Sequence, residues 1–168
     1  MTQSDFQHPR PELTHLDEEG RPRMVDVTGK EETLRTAEAV GRIVMRPETL
    51  QAIVEARTPK GSVLQVAELA GLMAGKRTGE LIPLCHVLPG VSLEISLEPD
   101  PELPGVQGRA VARFKGTTGV EMEALTALSL ALLTVYDMVK AMDRGMRIEG
   151  VELIRKEGGQ SGSWVRSV

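Results

Sequence analysis

Residues 91–97 read Val-Ser-Leu-Glu-Ile-Ser-Leu, an unbroken alternation of apolar and polar side chains. A period of two predicts a strand with one face buried and the other in water. A proline-rich connector at residues 98–105 leads to a second predicted strand at residues 106–115. Two such runs joined by a turn-forming connector indicate an antiparallel hairpin.

Two helices are predicted before this hairpin. Pro47 stands where the first residue of a helix would be, and Thr58-Pro59 ends that helix. Ser62 and Gln65 have the spacing of a capping box and predict the start of the second helix. The apolar face of that second helix is predicted to consist of Val66, Leu69, Ala70 and Met73. We expect ordered structure to begin, with a first strand, by residues 40–45.

A third helix is predicted over residues 120–144, with a capping box at Thr118 and Glu121. It is apolar around nearly its whole circumference, which is typical of a helix buried on every side. In so small a domain this indicates that a partner subunit covers part of it. A last strand at residues 147–156 completes the order β, α, α, β, β, α, β. The predicted fold class is α+β: a ferredoxin-like (βαββαβ) antiparallel sheet packed by helices, with one additional helix.

The composition excludes several classes of protein. The chain has 20 Lys and Arg against 24 Asp and Glu, a net charge of −4, which disfavours nucleic acid or an anionic membrane as partner. Two Phe, one Tyr and one Trp are too few for stacking bases, which argues against an RNA-binding module of this topology. The single Cys forms no internal disulfide and fits a reducing compartment. With no apolar run of membrane length and no signal-peptide core, we expect a cytoplasmic protein.

The domain organisation predicted is simple. Residues 1–23 are rich in proline and charge and are expected to form a mobile N-terminal arm. Residues 24–168 are expected to form a single catalytic domain.

Asp137 and Lys140 are the sharpest candidates for chemistry, because they follow more than three helical turns without a charge and share one helix face. They are either an exposed ion pair or a carboxylate and an amine that set each other's pKa for proton transfer in a pocket. Several other cations lie beside glycines, as phosphate-binding loops require, among them Lys60 and Lys76 and the segments at residues 115–123 and 155–162.

No metal site and no cofactor are predicted. Cys85 and His86 are adjacent, but the other histidines, His8 and His15, fall in the predicted arm, so no closed set of zinc ligands exists. Packing is the default interpretation of Cys85, and hydrogen bonding to a substrate is the favoured function of His86. Glu121 and Glu123 suit a helix N-terminus, or the edge of a purine.

Four motifs together resemble the cyclic pyranopterin monophosphate synthase family of molybdenum cofactor biosynthesis. They are Met24-Val-Asp-Val, Lys76-Arg-Thr-x-Glu-Leu-Ile-Pro-Leu-Cys-His86, Lys115-x-x-x-Gly-Val-Glu-Met-Glu-Ala-Leu-Thr126 and Tyr136-Asp-Met-x-Lys140. The resemblance extends from about residue 13 to residue 162. It implies a ferredoxin-like fold with added helices, assembled as a homohexamer (a trimer of dimers) with active sites between subunits.

The resemblance also implies an activity and a set of site residues. The substrate would be the cyclised dihydro-GTP supplied by an upstream radical GTP cyclase, and the enzyme a lyase that releases pyrophosphate. The catalytic centre would consist of Asp137, Lys60 and Lys140. The two lysines would be the proton donors, and the charge of each would lower the pKa of the other. The expected substrate-binding residues are Leu84, Cys85, His86, Met122, Glu123, Glu121, Arg35, Lys76 and Lys156. Gln160 stands where the family carries a lysine.

A second hypothesis belongs to a different class. A non-catalytic, nucleotide-sensing ferredoxin-like module would need the phosphate-facing cations but has no use for two lysines around one aspartate. Replacing Asp137 by Asn distinguishes the two, because a sensor would keep its ligand response.

Overall fold

The computed structural model describes residues 19, 21, 29, 31–58, 60–160 and 162–167. Most of the predicted arm, and the motif at residues 24–27, lie outside the described residues. The chain contains β1 (Thr33–Val44), α1 (Pro47–Val54), α2 (Val63–Gly75), α3 (Thr78–Leu81), β2 (Ser92–Asp100), β3 (Gly105–Gly116), α4 (Glu121–Val139), β4 (Arg147–Glu157) and β5 (Trp164–Val165).

The strands form one antiparallel sheet in the order β2-β3-β1-β4-β5. The first four strands have the order of a ferredoxin-like fold, and β5 adds a short edge beside β4. The predicted fold class is therefore confirmed. The additions exceed the single extra helix that we expected, because the four-residue α3 and the two-residue β5 are present as well.

The predicted hairpin is confirmed. β2 and β3 pair with Ser92 opposite Arg113 and Leu97 opposite Gly108. The first strand is longer than the sequence indicated, since β1 begins at Thr33 and pairs with β3 along its whole length. That extension carries Arg35 into the sheet, at the end where the N-terminus of α4 lies.

α4 is the core helix of the fold. It packs on β1, β3 and β4 and against α2, and ten of its residues are buried. Glycine in β3 lets α4 approach the sheet closely, because a Cβ at Gly108 would lie 2.7 Å from Cδ1 of Leu128. By length and composition alone α4 could cross a membrane, at a mean hydropathy of 1.4. Its contacts account for that apolarity as core packing.

The orientation predicted for α2 is wrong. Val66, Leu69 and Met73 are exposed, and the buried face consists of Val63, Ala67, Gly71 and Gly75. The reason is the short distance between α2 and α4. A Cβ at Gly71 would lie 2.7 Å from the carbonyl oxygen of Ala127, so only small residues fit between the two helices.

Both predicted capping boxes are absent. Ser62 does occupy the N-cap position of α2, but its side chain makes no capping hydrogen bond. The N-cap of α4 is Val120 rather than Thr118, and α4 ends at Val139, five residues before the predicted end. Pro47 does begin α1, as predicted.

Candidate active site

Asp137 binds two lysines at the C-terminal end of α4. Its Oδ2 lies 2.9 Å from Nζ of Lys60, and its Oδ1 lies 2.7 Å from Nζ of Lys140. Lys60 Nζ also donates to the main-chain oxygen of Asp137 at 3.3 Å. The two residues paired by sequence spacing are thus joined by a third that lies 77 positions earlier in the chain.

The ion pairs set the charge state of this cluster. Hydrogen bonds and charge from Lys140 and Lys60 lower the pKa of Asp137 to about 2. The same contact with Asp137 raises the pKa of Lys140. Asp137 is consequently ionised at any physiological pH, and Lys140 is held as an ammonium.

One sequence-based expectation about this cluster is corrected. We expected the lysines to lower each other's pKa, but the carboxylate between them dominates and raises that of Lys140. The spacing left open an exposed ion pair or a pocket, and in the single chain the side chains of Lys60, Asp137 and Lys140 are 52–53% exposed. The cluster lies on the surface of the chain.

The fold holds Lys60 in place through the end of α1. Ala56 has a left-handed φ of 53°, and its N–H donates to the carbonyl oxygen of Ile53. The N–H of Arg57 donates to the carbonyl oxygen of Ala52, which completes a Schellman motif. Beyond it, the Thr58 hydroxyl donates to the carbonyl oxygen of Gly61 at 2.6 Å and closes a turn around Lys60.

A cleft of about 610 Å³ lies at the other end of α4. Its walls come from β1, from the turn that precedes α4 and from the end of β4. The lining includes Thr33, Arg35, Glu121, Lys156 and Gly159. Two of these, Arg35 and Lys156, are cations that the sequence analysis assigned to substrate binding, and Gln160 lies at the same cleft.

Arg35 is held by backbone groups. Its guanidinium donates to the carbonyl oxygens of Gly116 and Thr117, both at 3.3 Å. It also lies against Gly159, where a Cβ would come 1.6 Å from Nη1 of Arg35. Gly159 has a φ of +73°, so glycine is required there by backbone conformation and by contact.

Lys156 forms an ion pair with Glu121, at 3.2 Å between Nζ and Oε1. Glu121 was expected at a helix N-terminus or at the edge of a purine, and it does lie in the first turn of α4, with its carboxylate over Gly119 and beside Lys156 within the cleft. The Glu121 carboxylate is thus the anionic partner of Lys156 in the cleft.

The remaining predicted residues lie near the first turn of α4 but outside the residues that line the cleft. The segment that contains His86 packs on α3, where a Cβ at Gly79 would be 2.9 Å from the carbonyl oxygen of His86. Glu123 is 2% exposed, and burial raises its pKa to about 6. Burial and the charge of Glu123 raise the pKa of Cys85. Leu84 has a left-handed φ of 63°, Met122 is partly exposed, and Lys76 is the exposed C-cap of α2.

Sequence reasoning missed two polar residues. The hydroxyl of Thr33 is buried beside the cleft and has no hydrogen-bond partner within the described part of the chain. Asp143, in the loop after α4, is 5% exposed and accepts hydrogen bonds from two backbone N–H groups. Neither lies in a recognisable motif, and a threonine at a strand start or an aspartate after a helix gives no signal of its own.

The predicted site residues therefore form two groups. One surrounds Asp137 in the last turn of α4, and the other surrounds Glu121 in its first turn. Sixteen residues of helix separate them, about 24 Å at 1.5 Å per residue. Within one chain the two groups are therefore far apart.

Fold and charge layout together define a ferredoxin-like α+β protein with two separate groups of cationic side chains, one around Asp137 and one around Glu121. Among the described residues, no group of three or more His, Cys, Asp or Glu side chains is placed to hold a metal ion. Residues 24–159 match the model of the MoaC family. The chain belongs to the MoaC family, and this match confirms the resemblance seen in the motifs.

Individual relatives agree with this family. The chain is 60% identical to a protein named cyclic pyranopterin monophosphate synthase from Methylobacterium nodulans, over 90% of this chain and 95% of that one. It is 53% identical to a protein of the same name from Trichodesmium erythraeum, over 96% and 97% of the two chains. A third, from Brucella ovis, is 54% identical over 92% and 94%.

Proposed function

We propose that this chain is a lyase of molybdenum cofactor biosynthesis that converts 3′,8-cyclo-7,8-dihydro-GTP to cyclic pyranopterin monophosphate and releases pyrophosphate. Membership of the MoaC family and the names of the relatives support the reaction. The observation that carries the assignment of residues is the bridge that Asp137 makes between Lys60 and Lys140. Ring opening and ring rebuilding require several proton transfers, and this cluster supplies the groups for them.

The lysines are the proton donors of this centre, and Asp137 positions them. With its pKa at about 2, Asp137 carries no proton to give at physiological pH. Its two carboxylate oxygens each hold one ammonium, so Lys60 and Lys140 present protons to one region from two directions. An ammonium that gives up its proton then regains one from water or from its neighbour.

The cleft at the first turn of α4 binds the triphosphate. Arg35 is preorganised by two carbonyl oxygens and by Gly159, and Lys156 provides the second cation. The buried Thr33 hydroxyl is available as a donor to a phosphate oxygen. When a hydroxyl of the substrate closes onto the α-phosphorus, pyrophosphate leaves with added negative charge, which these two cations stabilise.

Residues 84–86, with Met122 and Glu123, bind the base-derived ring. Met122 and Glu123 are in the first turn of α4, and the Cys85 thiol lies close enough to Glu123 for its charge to raise the pKa of Cys85. Glu123 is buried, and with a pKa of about 6 its carboxyl is mostly ionised at neutral pH and can accept hydrogen bonds from ring N–H groups. Lys76 contributes positive charge at the end of α2.

Catalysis requires a second subunit. The lysine centre and the triphosphate cleft of one chain are about 24 Å apart, so a site that uses both takes the centre from one copy and the cleft from another. Val66, Leu69 and Met73 on α2, with Leu133 on α4, expose apolar side chains that a partner would cover. The assembly we propose is a homohexamer, a trimer of dimers, in the cytoplasm.

Light scattering tests this assembly. The wild-type protein at micromolar concentration is expected to run as an oligomer, and Leu69→Glu, which puts a charge on the exposed apolar face of α2, is expected to lower its mass. Val165→Glu is the matched control, because Val165 is also an exposed apolar residue but lies on the edge strand β5. A monomeric wild-type protein would contradict the shared site.

Turnover tests the reaction itself. Purified protein is given the cyclised dihydro-GTP made by the upstream radical GTP cyclase, and pyrophosphate release is followed together with pterin fluorescence after oxidation. We expect both products without any added cofactor. Binding of the nucleotide without release of pyrophosphate would favour a sensing module, which the names of the relatives do not support.

A further inference from the structure

We infer that Asp143 is a positioning residue that joins the two parts of the lysine centre. Its carboxylate links the loop after α4, which follows Asp137 and Lys140, to the start of α1, the helix that leads to Lys60. The inference rests on the proposed function for its effect on turnover, and the contacts themselves are independent of it.

The Asp143 carboxylate has donors on both sides. Its Oδ2 accepts the backbone N–H of Arg46 at 2.9 Å and lies 3.5 Å from the hydroxyl of Thr49, a buried residue in the first turn of α1. Its Oδ1 accepts the N–H of Gly145 at 3.0 Å, which folds the loop back on itself. A residue from the end of α4 thus satisfies donors at the N-terminus of α1, where Arg46 makes no side-chain cap of its own.

The link is reinforced by its neighbours. The Arg46 guanidinium lies 3.5 Å from Oδ2 of Asp143 and donates to the carbonyl oxygen of Met142. The Asp143 N–H donates to the carbonyl oxygen of Val139 at 3.2 Å, so the carboxylate is fixed to the last turn of α4. The hydrogen bond from Arg46 is the largest of the contacts that lower the pKa of Asp143, which is therefore a carboxylate at neutral pH.

α1 connects the N-terminus that Asp143 holds to the turn that contains Lys60. It is only eight residues long, and its far end is closed by the Schellman motif at Ala56 and Arg57. The turn from Thr58 to Gly61 follows directly. A shift at the start of so short a helix moves its far end, and Lys60 moves relative to Asp137.

Hydrogen exchange on the intact, assembled protein tests the mechanical link. Asp143→Ala removes all acceptors, and Asp143→Asn keeps one oxygen that can still accept the Arg46 N–H. Glu68→Ala is the control, because Glu68 also accepts a backbone N–H from another element, that of Leu97 at 3.0 Å, but has no contact with α1. We expect amides of residues 55–61 to exchange about tenfold faster in Asp143→Ala, with partial protection in Asp143→Asn and no change in Glu68→Ala.

Kinetics test the effect on the reaction. We expect Tm to fall by about 3 °C in both Asp143→Ala and Glu68→Ala. Only Asp143→Ala should also lose kcat, by about tenfold or more, with KM changed by less than about twofold. Asp143→Asn should recover part of kcat. Equal losses of kcat in Asp143→Ala and Glu68→Ala, or unchanged exchange at residues 55–61, would overturn the inference. Full turnover by Asp137→Asn would instead defeat the assignment of the lysine centre, and absence of turnover by the wild-type protein would defeat the proposed function; both leave the exchange result standing.

Discussion

Glu121 and Asp137 stand in the first and last turns of one helix, α4, and each forms an ion pair with lysine. Glu121 lies in the cleft beside Lys156, and Asp137 forms ion pairs with both Lys60 and Lys140. About 24 Å of helix separates the two pairs. This separation is the reason we propose that a complete site combines the two ends from different copies of the chain.

The first prediction concerns Asp137. Asp137→Asn removes the charge that holds both lysines, so kcat is expected to fall about a hundredfold or more while the substrate still binds. Turnover assays and equilibrium binding measure the two effects. Asp100→Asn is the matched control, an equivalent change in a carboxylate of the β2–β3 hairpin that contacts neither lysine. Comparable turnover by Asp137→Asn and Asp100→Asn would contradict the assignment of Asp137 to the catalytic centre.

The second prediction concerns the ion pair between Glu121 and Lys156. Glu121→Gln removes the negative charge paired with Lys156, so inorganic pyrophosphate should bind several times more tightly. Calorimetric titration at two ionic strengths measures this, and the gain should shrink as salt increases. Weaker pyrophosphate binding in Glu121→Gln would show that Glu121 positions Lys156 rather than competing for it.

The third prediction separates backbone strain from contact at the loop after β4. Gly159 and Gly162 both have a positive φ, +73° and +64°, but only Gly159 touches Arg35. Alanine at either position should cost about 1 kcal/mol of stability from the left-handed conformation. Only Gly159→Ala should also raise KM, because its Cβ displaces the guanidinium. Equal KM values in the two variants would argue against Arg35 as a phosphate ligand.

The fourth prediction concerns the buried carboxyl of Glu123. Its folded pKa of about 6 lies above the ordinary 4.5, so the neutral form is favoured in the folded protein. The stability this provides is complete below pH 4.5 and is lost as the pH rises through 6. Glu123→Gln should therefore exceed wild type in unfolding free energy by about 2 kcal/mol at pH 8, and match it below pH 4.5. Urea unfolding at fixed protein concentration measures the difference, and a gap independent of pH would contradict it.

Much of the fold follows from local sequence patterns. The alternation at residues 91–97 and the proline at residue 47 specify a hairpin and a helix start that the structure contains. Which face of α2 is buried does not follow from the sequence, because a stripe of large apolar residues usually marks the face that packs on the core. Here Ala67, Gly71 and Gly75 face α4, since the two helices approach too closely for larger side chains, and the large residues stay outside.

The candidate site, like the fold, could be predicted from the sequence only in part. Asp137 and Lys140 could be paired from their spacing, because three residues along a helix bring side chains together. Lys60 joins them only through the tertiary path of α1, and local spacing gives no sign of that. The Asp143 link and the buried Thr33 hydroxyl also depend on contacts between distant segments.

The shared site is tested most directly by mixing two inactive proteins. One carries Asp137→Asn and the other carries Arg35→Ala with Lys156→Ala, and the two are co-expressed with different tags and purified through both. If each site takes its lysine centre from one subunit and its cleft from another, random mixing restores about a quarter of the wild-type sites. Recovery of pyrophosphate release to about that level is the result we predict. Mixed oligomers with no more activity than their parents would contradict a site assembled from two chains.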